Sequence, residues 1–203
     1  MKPIRYKQAM VDEFVRDGYW TNELFYDFYD RNAREMGDQE ALVDDRYRVT
    51  WAEAKRLVDA IAASWVEMGI PKSARIIIQS PNSVFGFLAR VAGERAGLIT
   101  LTVYPYLRQR ELEYMVEKTE ASAVVIPTVY RNFDYLEMYT GLRKQFPHLE
   151  QFFLFDDEVP ATAPEGTHSL IKTAYERAEK PVDENMLQER RLDPFWDVAI
   201  LTT

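Results

Sequence analysis

The sequence predicts an α/β protein: a largely parallel sheet flanked by helices, with a small N-terminal hairpin. Between residues 75 and 127, short β-branched runs alternate with helical patterns about a dozen residues long, which is typical of consecutive βαβ units. The runs Ile76-Ile77-Ile78 and Val124-Val125-Ile126 are continuously apolar, as expected for strands that helices cover on both faces. The chain contains no cysteine, which excludes a disulfide framework or a thiolate zinc site as the organising element.

Charge and composition narrow the classes of partner. The chain has 203 residues, is 47% hydrophobic and carries a formal net charge of -8, which indicates a globular protein. The negative charge argues against nucleic acid or an anionic membrane as a partner of the whole chain. Residues Met1-Lys2-Pro3-Ile4-Arg5 do not form an apolar signal segment, and no apolar run approaches the roughly 20 residues of a membrane span. We therefore expect a soluble, cytoplasmic protein.

Residues 1–39 are expected to form helices that precede the sheet. Apolar spacing predicts a short helix over Gln8–Arg16. Thr21 or Asn22 is expected to cap a second helix that runs to Met36. Four aromatic side chains of this second helix are expected to pack into the core rather than to form a ligand platform: Phe25, Tyr26, Phe28 and Tyr29.

The next segment predicts a hairpin followed by a well-defined helix. Ala41–Val43 and Tyr47–Val49 flank a short acidic turn. Thr50 and Glu53 form a capping-box pattern, in which the hydroxyl accepts a free backbone N–H and the carboxylate reaches back to the cap. The helix is expected to end at Gly69 and to cover the sheet. Its apolar face comprises Trp51, Ala54, Leu57, Val58, Ile61, Ala62, Trp65 and Met68.

From residue 75 onward the patterns alternate between strand and helix. The expected strands are 75–79, 98–103, 123–127, 151–155 and 197–201. The expected helices are 84–96, 108–119, 133–146 and 169–177. Residues 156–166 are expected to form a loop because they include Pro160 and Pro164, and 180–192 are expected to form a polar linker.

These residues do not form a complete active site. The loop after Ile78 reads Gln79-Ser80-Pro81-Asn82, without glycine, and the chain has neither a dinucleotide fingerprint nor a Walker loop. His148 and His168 lack the sequence neighbours of a catalytic triad. The acidic run Asp156-Asp157-Glu158 is compatible with a cation site, but a solvated loop is the preferred interpretation. We assign no catalytic residue and no metal site from these patterns.

Four short motifs follow one another in a characteristic order. They are Tyr47-Arg48-Val49-Thr50-Trp51-Ala52-Glu53-Ala54, Gly69-Ile70-Pro71-Lys72-Ser73-Ala74-Arg75-Ile76, Pro81-Asn82-Ser83, and Arg95-Ala96-Gly97 with Tyr104-Pro105 and Arg110-Glu111-Leu112. Together they resemble the N-terminal portion of the adenylate-forming superfamily, which includes acyl- and aryl-CoA synthetases, aryl-acid–AMP ligases, peptide-synthetase adenylation domains and luciferases. Ser73 and Ala74 depart from the glycine and aspartate usual at those two positions.

The resemblance implies a domain arrangement and a nucleotide site. In this superfamily a strand like residues 197–201 leads directly into a Ser-Gly-Thr-Thr-Gly loop that binds ATP phosphates. Thr202 and Thr203 align with its first positions and are the expected cofactor-binding residues. The whole chain, 1–203, would then be the N-terminal part of a synthetase domain. It would consist of helices over 1–39 and an α/β subdomain over 40–203 that ends just before the phosphate loop.

The implied activity is that of an AMP-forming acid–thiol ligase, in which an acyl-adenylate precedes a thioester. The resemblance implies ATP, Mg2+ and CoA as cofactors of the parent enzyme. The implied partners are the remainder of the same synthetase, a small carboxylic acid, and CoA or a carrier-protein thiol; a homo-oligomer is compatible. As an N-terminal fragment, the 203-residue chain is expected to be inactive by itself and to bind none of these cofactors tightly.

Two further expectations concern the substrate and the surface. Gly18-Tyr19-Trp20 resembles the N-terminus of aryl-acid–AMP ligases, which favours a ring-containing or medium-chain acid. The alternative is a stand-alone α/β binding or interaction module without catalysis. The fragment interpretation predicts an exposed apolar patch, with contributions from the Phe25–Tyr29 helix, the Phe152–Phe155 strand and the Phe195-Trp196 pair.

Overall fold

A computed structural model describes residues 6–195 and 197–201 of the chain. Its helices are α1 (Gln8–Arg16), α2 (Phe25–Glu35), α3 (Trp51–Glu67), α4 (Val84–Arg95), α5 (Gln109–Thr119), α6 (Tyr135–Gln145), α7 (Leu170–Ala178) and α8 (Glu184–Glu189). Its strands are β1 (Glu40–Val43), β2 (Arg48–Thr50), β3 (Arg75–Gln79), β4 (Ile99–Val103), β5 (Ala123–Ile126), β6 (Val129–Tyr130), β7 (Phe133–Asp134), β8 (Gln151–Leu154), β9 (Thr167–Ser169) and β10 (Ala199–Ile200).

The central feature is a six-stranded sheet in the order β10-β4-β3-β5-β8-β9, in which every pairing is parallel. Ile77 of β3 lies between Leu101 of β4 and Val124 of β5. The antiparallel pair β1-β2 stands apart as the small N-terminal hairpin. The predicted fold class, an α/β protein with a parallel sheet and a hairpin, is therefore confirmed.

Helices cover both faces of this sheet. Ile76 and Ile78 pack in a cluster with side chains of α3, α4 and α7, whereas Ile77 packs with side chains of α5 and α6. Alternate residues of a strand point to opposite faces, so the continuous apolar run of β3 is buried on both sides. Trp65 of α3 is fully buried and its ring lies 5.2 Å from that of Phe153.

The α3 helix confirms most of the predicted apolar face but not its last residue. Thr50 caps the helix, because its hydroxyl accepts the backbone N–H of Glu53 at 3.3 Å. The Glu53 carboxylate lies 3.9 Å from the guanidinium of Arg56. Met68, predicted to face the sheet, follows the end of the helix and is 36% exposed.

Two helix assignments from sequence were wrong. The second helix begins at Phe25, not after Thr21 or Asn22, because the carboxylate of Asp27 accepts the N–H of Leu24 at 2.6 Å and fixes the first turn there. The expected linker 180–192 contains α8. The side chain of Asp183 accepts two backbone N–H groups at the start of α8, and six residues are too few to show helical periodicity in the sequence.

The expected exposure of the strand at 152–155 was also wrong. The sequence analysis did not predict β9, which pairs in parallel with β8. Phe152 and Phe153 are fully buried because β5 and β9 flank β8 and helices cover it. In α2, Phe25 and Phe28 are 52% and 39% exposed, so this helix does contribute apolar surface. Trp196 lies outside the described residues.

The longest helix of residues 6–195 and 197–201 is α3, with 17 residues. Within this part of the chain, no helix combines the length and the apolar character needed to cross a bilayer.

Candidate functional site

The expected nucleotide-binding residues follow β10, at one end of the sheet. Thr202 and Thr203 lie outside the described residues, but the strand that leads to them is described. Ala199 and Ile200 pair with Thr100 and Leu101 of β4, and Leu201 is 82% exposed. In parallel sheets, ligands bind at the carboxyl ends of the strands. The candidate site is therefore the carboxyl edge, beside the turn that follows β4.

That turn is held from below by a buried amide. Gln79, the last residue of β3, is fully buried, and its Nε2 donates to the carbonyls of Tyr104 and Leu107 at 3.0 and 3.1 Å. Its Oε1 is buried without a protein partner. Above it, the rings of Tyr104 and Tyr106 stack at 5.2 Å with an interplanar angle of 10° and are 60% and 66% exposed. The amide fixes the backbone on which this pair stands.

A guanidinium holds the same turn from the other side. Arg108 donates from one nitrogen to the carbonyls of Pro105 and Leu107, at 2.8 and 2.9 Å. Its guanidinium lies 4.0 Å above the ring of Phe133, and the hydroxyl of Tyr135 also donates to the carbonyl of Pro105. The carbonyls of Tyr104, Pro105 and Leu107 thus all accept hydrogen bonds from side chains, which fix the backbone of the turn.

The loop after β3 is closed to phosphate. Ser83 caps α4 by accepting the N–H of Gly86 at 3.1 Å. The carboxylate of Asp44, from the hairpin turn, accepts the N–H of Val84 at 2.7 Å. A helix N-terminus is a ready anion site, but here the protein's own carboxylate occupies it. This agrees with the absence of glycine from the loop.

The same carboxylate has a perturbed pKa. Asp44 also accepts the N–H groups of Arg46 and Tyr47 at 2.8 and 2.7 Å. Burial acts to raise the pKa of Asp44, but the three backbone donors and the nearby Arg46 outweigh it and hold the pKa below its ordinary value. The hairpin is therefore attached to the carboxyl edge by an ionised side chain.

The acidic loop after β8 has a structural role. Thr128, after β5, donates both its N–H and its hydroxyl to the Asp156 carboxylate, at 2.9 and 2.7 Å. Asp157 pairs with Arg46 at 2.9 Å on the surface. Within residues 6–195 and 197–201, no three His, Asp or Glu side chains are grouped closely enough to hold a metal ion. This part of the chain thus gives no support for a cation site at 156–158.

The two histidines lie far from β10 in the sheet order: His168 is in β9, the opposite outer strand, and His148 follows α6. His168 stacks on Phe153 and its Nε2 lies 3.1 Å from the Oε1 of Gln151. Burial lowers the pKa of His168, because desolvation disfavours the charged imidazolium. His148 lines a groove of about 920 Å3 at the opposite, amino edge of the sheet. Neither histidine is next to the end of β10.

Fold and edge geometry define an α/β unit with a parallel sheet whose outer strand β10 ends beside the turn that follows β4. The chain belongs to the AMP-binding enzyme family, whose family model matches residues 29–196. Among curated relatives, it is similar to the 2,3-dihydroxybenzoate-AMP ligase of Bacillus subtilis, with 27% identity over 145 residues, or 71% of this chain and 27% of the relative. It is also similar to the mitochondrial medium-chain acyl-CoA ligase ACSF2 of Bos taurus, with 33% identity over 124 residues, or 60% of this chain and 20% of the relative.

Solved structures agree with this assignment. The apo structure of MbtA from Mycobacterium smegmatis matches with a TM-score of 0.81 and 25% identity, over 97% of this chain and 34% of that one. The anthranilate CoA ligase AuaEII, in complex with anthranoyl-AMP, matches in fold with a TM-score of 0.67 at 15% identity, over 82% of this chain and 31% of that one. The chain spans about a quarter of the length of the curated relatives it matches. It has the fold of the N-terminal portion of an adenylate-forming enzyme.

Sequence reasoning missed the residues that build the edge. No sequence motif marks Asp44 or Gln79, because their hydrogen-bond partners, Val84 and Tyr104, are 40 and 25 residues away in the sequence. The one available signal was the polar Gln79 at the end of the apolar run Ile76-Ile77-Ile78. A polar residue in that position has to find partners when it is buried.

Proposed function

We propose that the chain is the N-terminal part of an ATP-dependent acid–thiol ligase. A carboxylate oxygen attacks the α-phosphorus of ATP, the bond to the β-phosphate breaks, and pyrophosphate leaves with the electron pair. The sulfur of a thiol then attacks the acyl carbon, AMP leaves, and the thiol proton passes to solvent. Membership of the AMP-binding enzyme family carries the proposal. The family defines AMP-forming chemistry, and the chain covers only the first part of its relatives.

Thr202 and Thr203 are proposed to begin the loop that binds the ATP phosphates. Two observations support that location. β10 ends at the carboxyl edge beside β4, and Asp44 already occupies the N-terminus of α4. Bound Mg2+ would offset the charge of the phosphates. The role of the described residues is to place β10 and the neighbouring turn, so the isolated chain should not adenylate a carboxylate.

The proposed substrate is a ring-containing or medium-chain acid, and the proposed acceptor is CoA or a carrier-protein thiol. One curated relative is named for 2,3-dihydroxybenzoate and another for medium-chain acyl groups, which supports both halves of this range. The whole enzyme is proposed to act in the cytoplasm, where ATP and reduced thiols coexist. A homo-oligomer is compatible with this assignment.

ATP–pyrophosphate exchange tests the proposal. The polypeptide encoded by the entire open reading frame is assayed with benzoate-type acids and with linear medium-chain acids. We expect exchange with at least one class and formation of its thioester with CoA or a carrier protein. Failure with every carboxylate would overturn the proposal and favour a binding module without catalysis.

A second measurement tests the role of the chain by itself. We expect calorimetric titration of residues 1–203 with Mg-ATP to give no micromolar binding, because the described edge offers no phosphate cradle. A micromolar affinity would show that the site lies within this chain. Thr202→Ala is the informative variant in the full polypeptide, and Thr119→Ala, at the end of α5, is its matched control.

A further inference from the structure

The segment that follows α8, residues 190–195, crosses the amino edge of the sheet. We call it the strap. Arg191, Leu192 and Asp193 line the same groove as Arg75 and Ile99, which begin β3 and β4. The strap ends three residues before β10, so its attachment limits where that strand can begin.

Arg190 attaches the strap to the ends of two helices. Its Nε donates to the carbonyl of Ala96, the C-terminal cap of α4, at 2.8 Å. A second nitrogen donates to the carbonyl of Ile70, just beyond α3, at 2.6 Å. Carbonyls at helix C-termini lack partners within the helix and attract cations. One guanidinium thus ties the strap to two of the helices that cover this side of the sheet, α3 and α4.

The backbone of the strap also fits closely against the turn between α4 and β4. Gly97 has a φ of +72°, and an added Cβ would overlap the carbonyl oxygen of Arg190. Burial lowers the pKa of the Arg190 guanidinium, because partial desolvation disfavours the charged form. The position of Arg190 relative to β4 is therefore determined by backbone shape as well as by hydrogen bonds.

Other contacts extend the attachment in both directions. Lys72 donates to the carbonyl of Glu189 at 2.9 Å. Arg191 makes a two-pronged pair with Asp27 of α2, at 2.7 Å for each bond. Burial acts to raise the pKa of Asp27, but the bonds from Arg191 and from a backbone N–H outweigh it, so the pKa lies below its ordinary value. The strap is tied to α2 as well as to α3 and α4.

β10 itself has little to hold its register. It pairs through two residues only, Ala199 and Ile200, and only with β4 among the described strands. A slip of one residue moves every side chain of a strand to the other face. Ile200, which packs with the α5 and α6 side, would then turn away from that cluster. So short a ladder needs an external anchor.

We propose that Arg190 is a positioning residue: through the strap it sets the register of β10, and with it the place of the residues that bind phosphate. The catalytic consequence rests on the proposed function, but the effect on register does not. The amide of Thr100 is a direct reporter, because its N–H donates to the carbonyl of Val198 at 3.3 Å. Its protection from hydrogen exchange requires β10 to be in place.

The first experiment measures amide exchange in the chain by NMR. In Arg190→Gln we expect the Thr100 amide to exchange about tenfold faster, which corresponds to the loss of one hydrogen bond to a charged group. The amide of Val124, in the centre of the sheet, should keep its rate after correction for global stability. Arg190→Lys should not restore protection, because one ammonium cannot reproduce the fork of a guanidinium.

Arg177→Gln is the matched control. Like Arg190, Arg177 bridges two carbonyls, those of Lys180 and Pro181; unlike Arg190, it also binds a carboxylate, that of Glu67. It holds the chain before α8 and does not touch the strap. An unchanged Thr100 rate in Arg190→Gln, or an equal increase in Arg177→Gln, overturns the proposal. Should Arg190→Gln fail to fold, Arg190→Lys provides the same comparison.

The second experiment uses the full polypeptide in the exchange assay. For Arg190→Gln we expect the KM for ATP to rise about tenfold, with a smaller change in the KM for the carboxylate. Arg177→Gln should leave both values near the wild type. If the wild type shows no exchange with any acid, the proposed function fails, whereas the Thr100 amide still tests the register. Faster exchange of the Thr100 amide with an unchanged KM for ATP would support the effect on register and overturn only its link to nucleotide binding.

Discussion

Among alanine substitutions on the sheet-facing side of α3, Trp65→Ala should lower the free energy of unfolding the most. The side chain is fully buried between the helix and the sheet, against Phe153 at 5.2 Å. Truncation of a buried tryptophan removes its transfer free energy and leaves a cavity, which together cost about 3–5 kcal/mol. Urea unfolding, with the midpoint and slope fitted separately, measures this difference.

A second substitution separates ring volume from polarity. The Nε1 of Trp65 is buried without a partner, so Trp65→Phe removes an unsatisfied donor while it keeps most of the ring. Removal of the unpaired N–H offsets part of the free energy lost with the packing of the larger ring. We therefore expect Trp65→Phe to lower the free energy of unfolding by less than about 1.5 kcal/mol.

Met68→Ala is the control. Met68 belongs to the same apolar face predicted from the sequence, but it is 36% exposed in the structure. Its cost should be within about 0.5 kcal/mol of zero. Equal and small effects of Trp65→Ala and Met68→Ala would refute the packing described for α3.

Three other changes test separate parts of the fold. Thr50→Ala should cost about 1 kcal/mol in urea unfolding because the hydroxyl that caps α3 is lost; Thr50→Ser should restore most of it. Asp44 has a folded pKa below its ordinary value, so its contribution is present above the unfolded pKa and is lost as the pH falls below about 4. Asp44→Asn should therefore flatten the acid limb of a stability–pH profile, and an unchanged limb would contradict the hydrogen bonds described. Gly97→Ala should destabilise by more than about 1 kcal/mol, because of its φ of +72° and the overlap with Arg190; a thermal melt with no shift would contradict that contact.

Local periodicity was enough to predict the main elements. The helix α3 and the strands β3, β5 and β8 follow from spacing and from continuous apolar runs within single segments. Thr50 indicated the start of α3 because the capping hydroxyl and the backbone N–H that donates to it are three residues apart. The family resemblance likewise rested on short motifs. These signals survive in the sequence because the interacting groups are neighbours along the chain.

Tertiary structure alone decided how the edge and its anchor are built. α8 and β9 are too short for periodicity to reveal. The carboxylate of Asp44 fills the N-terminus of α4 from 40 residues away, and Arg190 reaches carbonyls that are 94 and 120 residues away. A buried donor or acceptor takes whichever partner the packed elements bring to it. Its partner therefore depends on how the helices lie on the sheet, a relation that residue spacing does not encode.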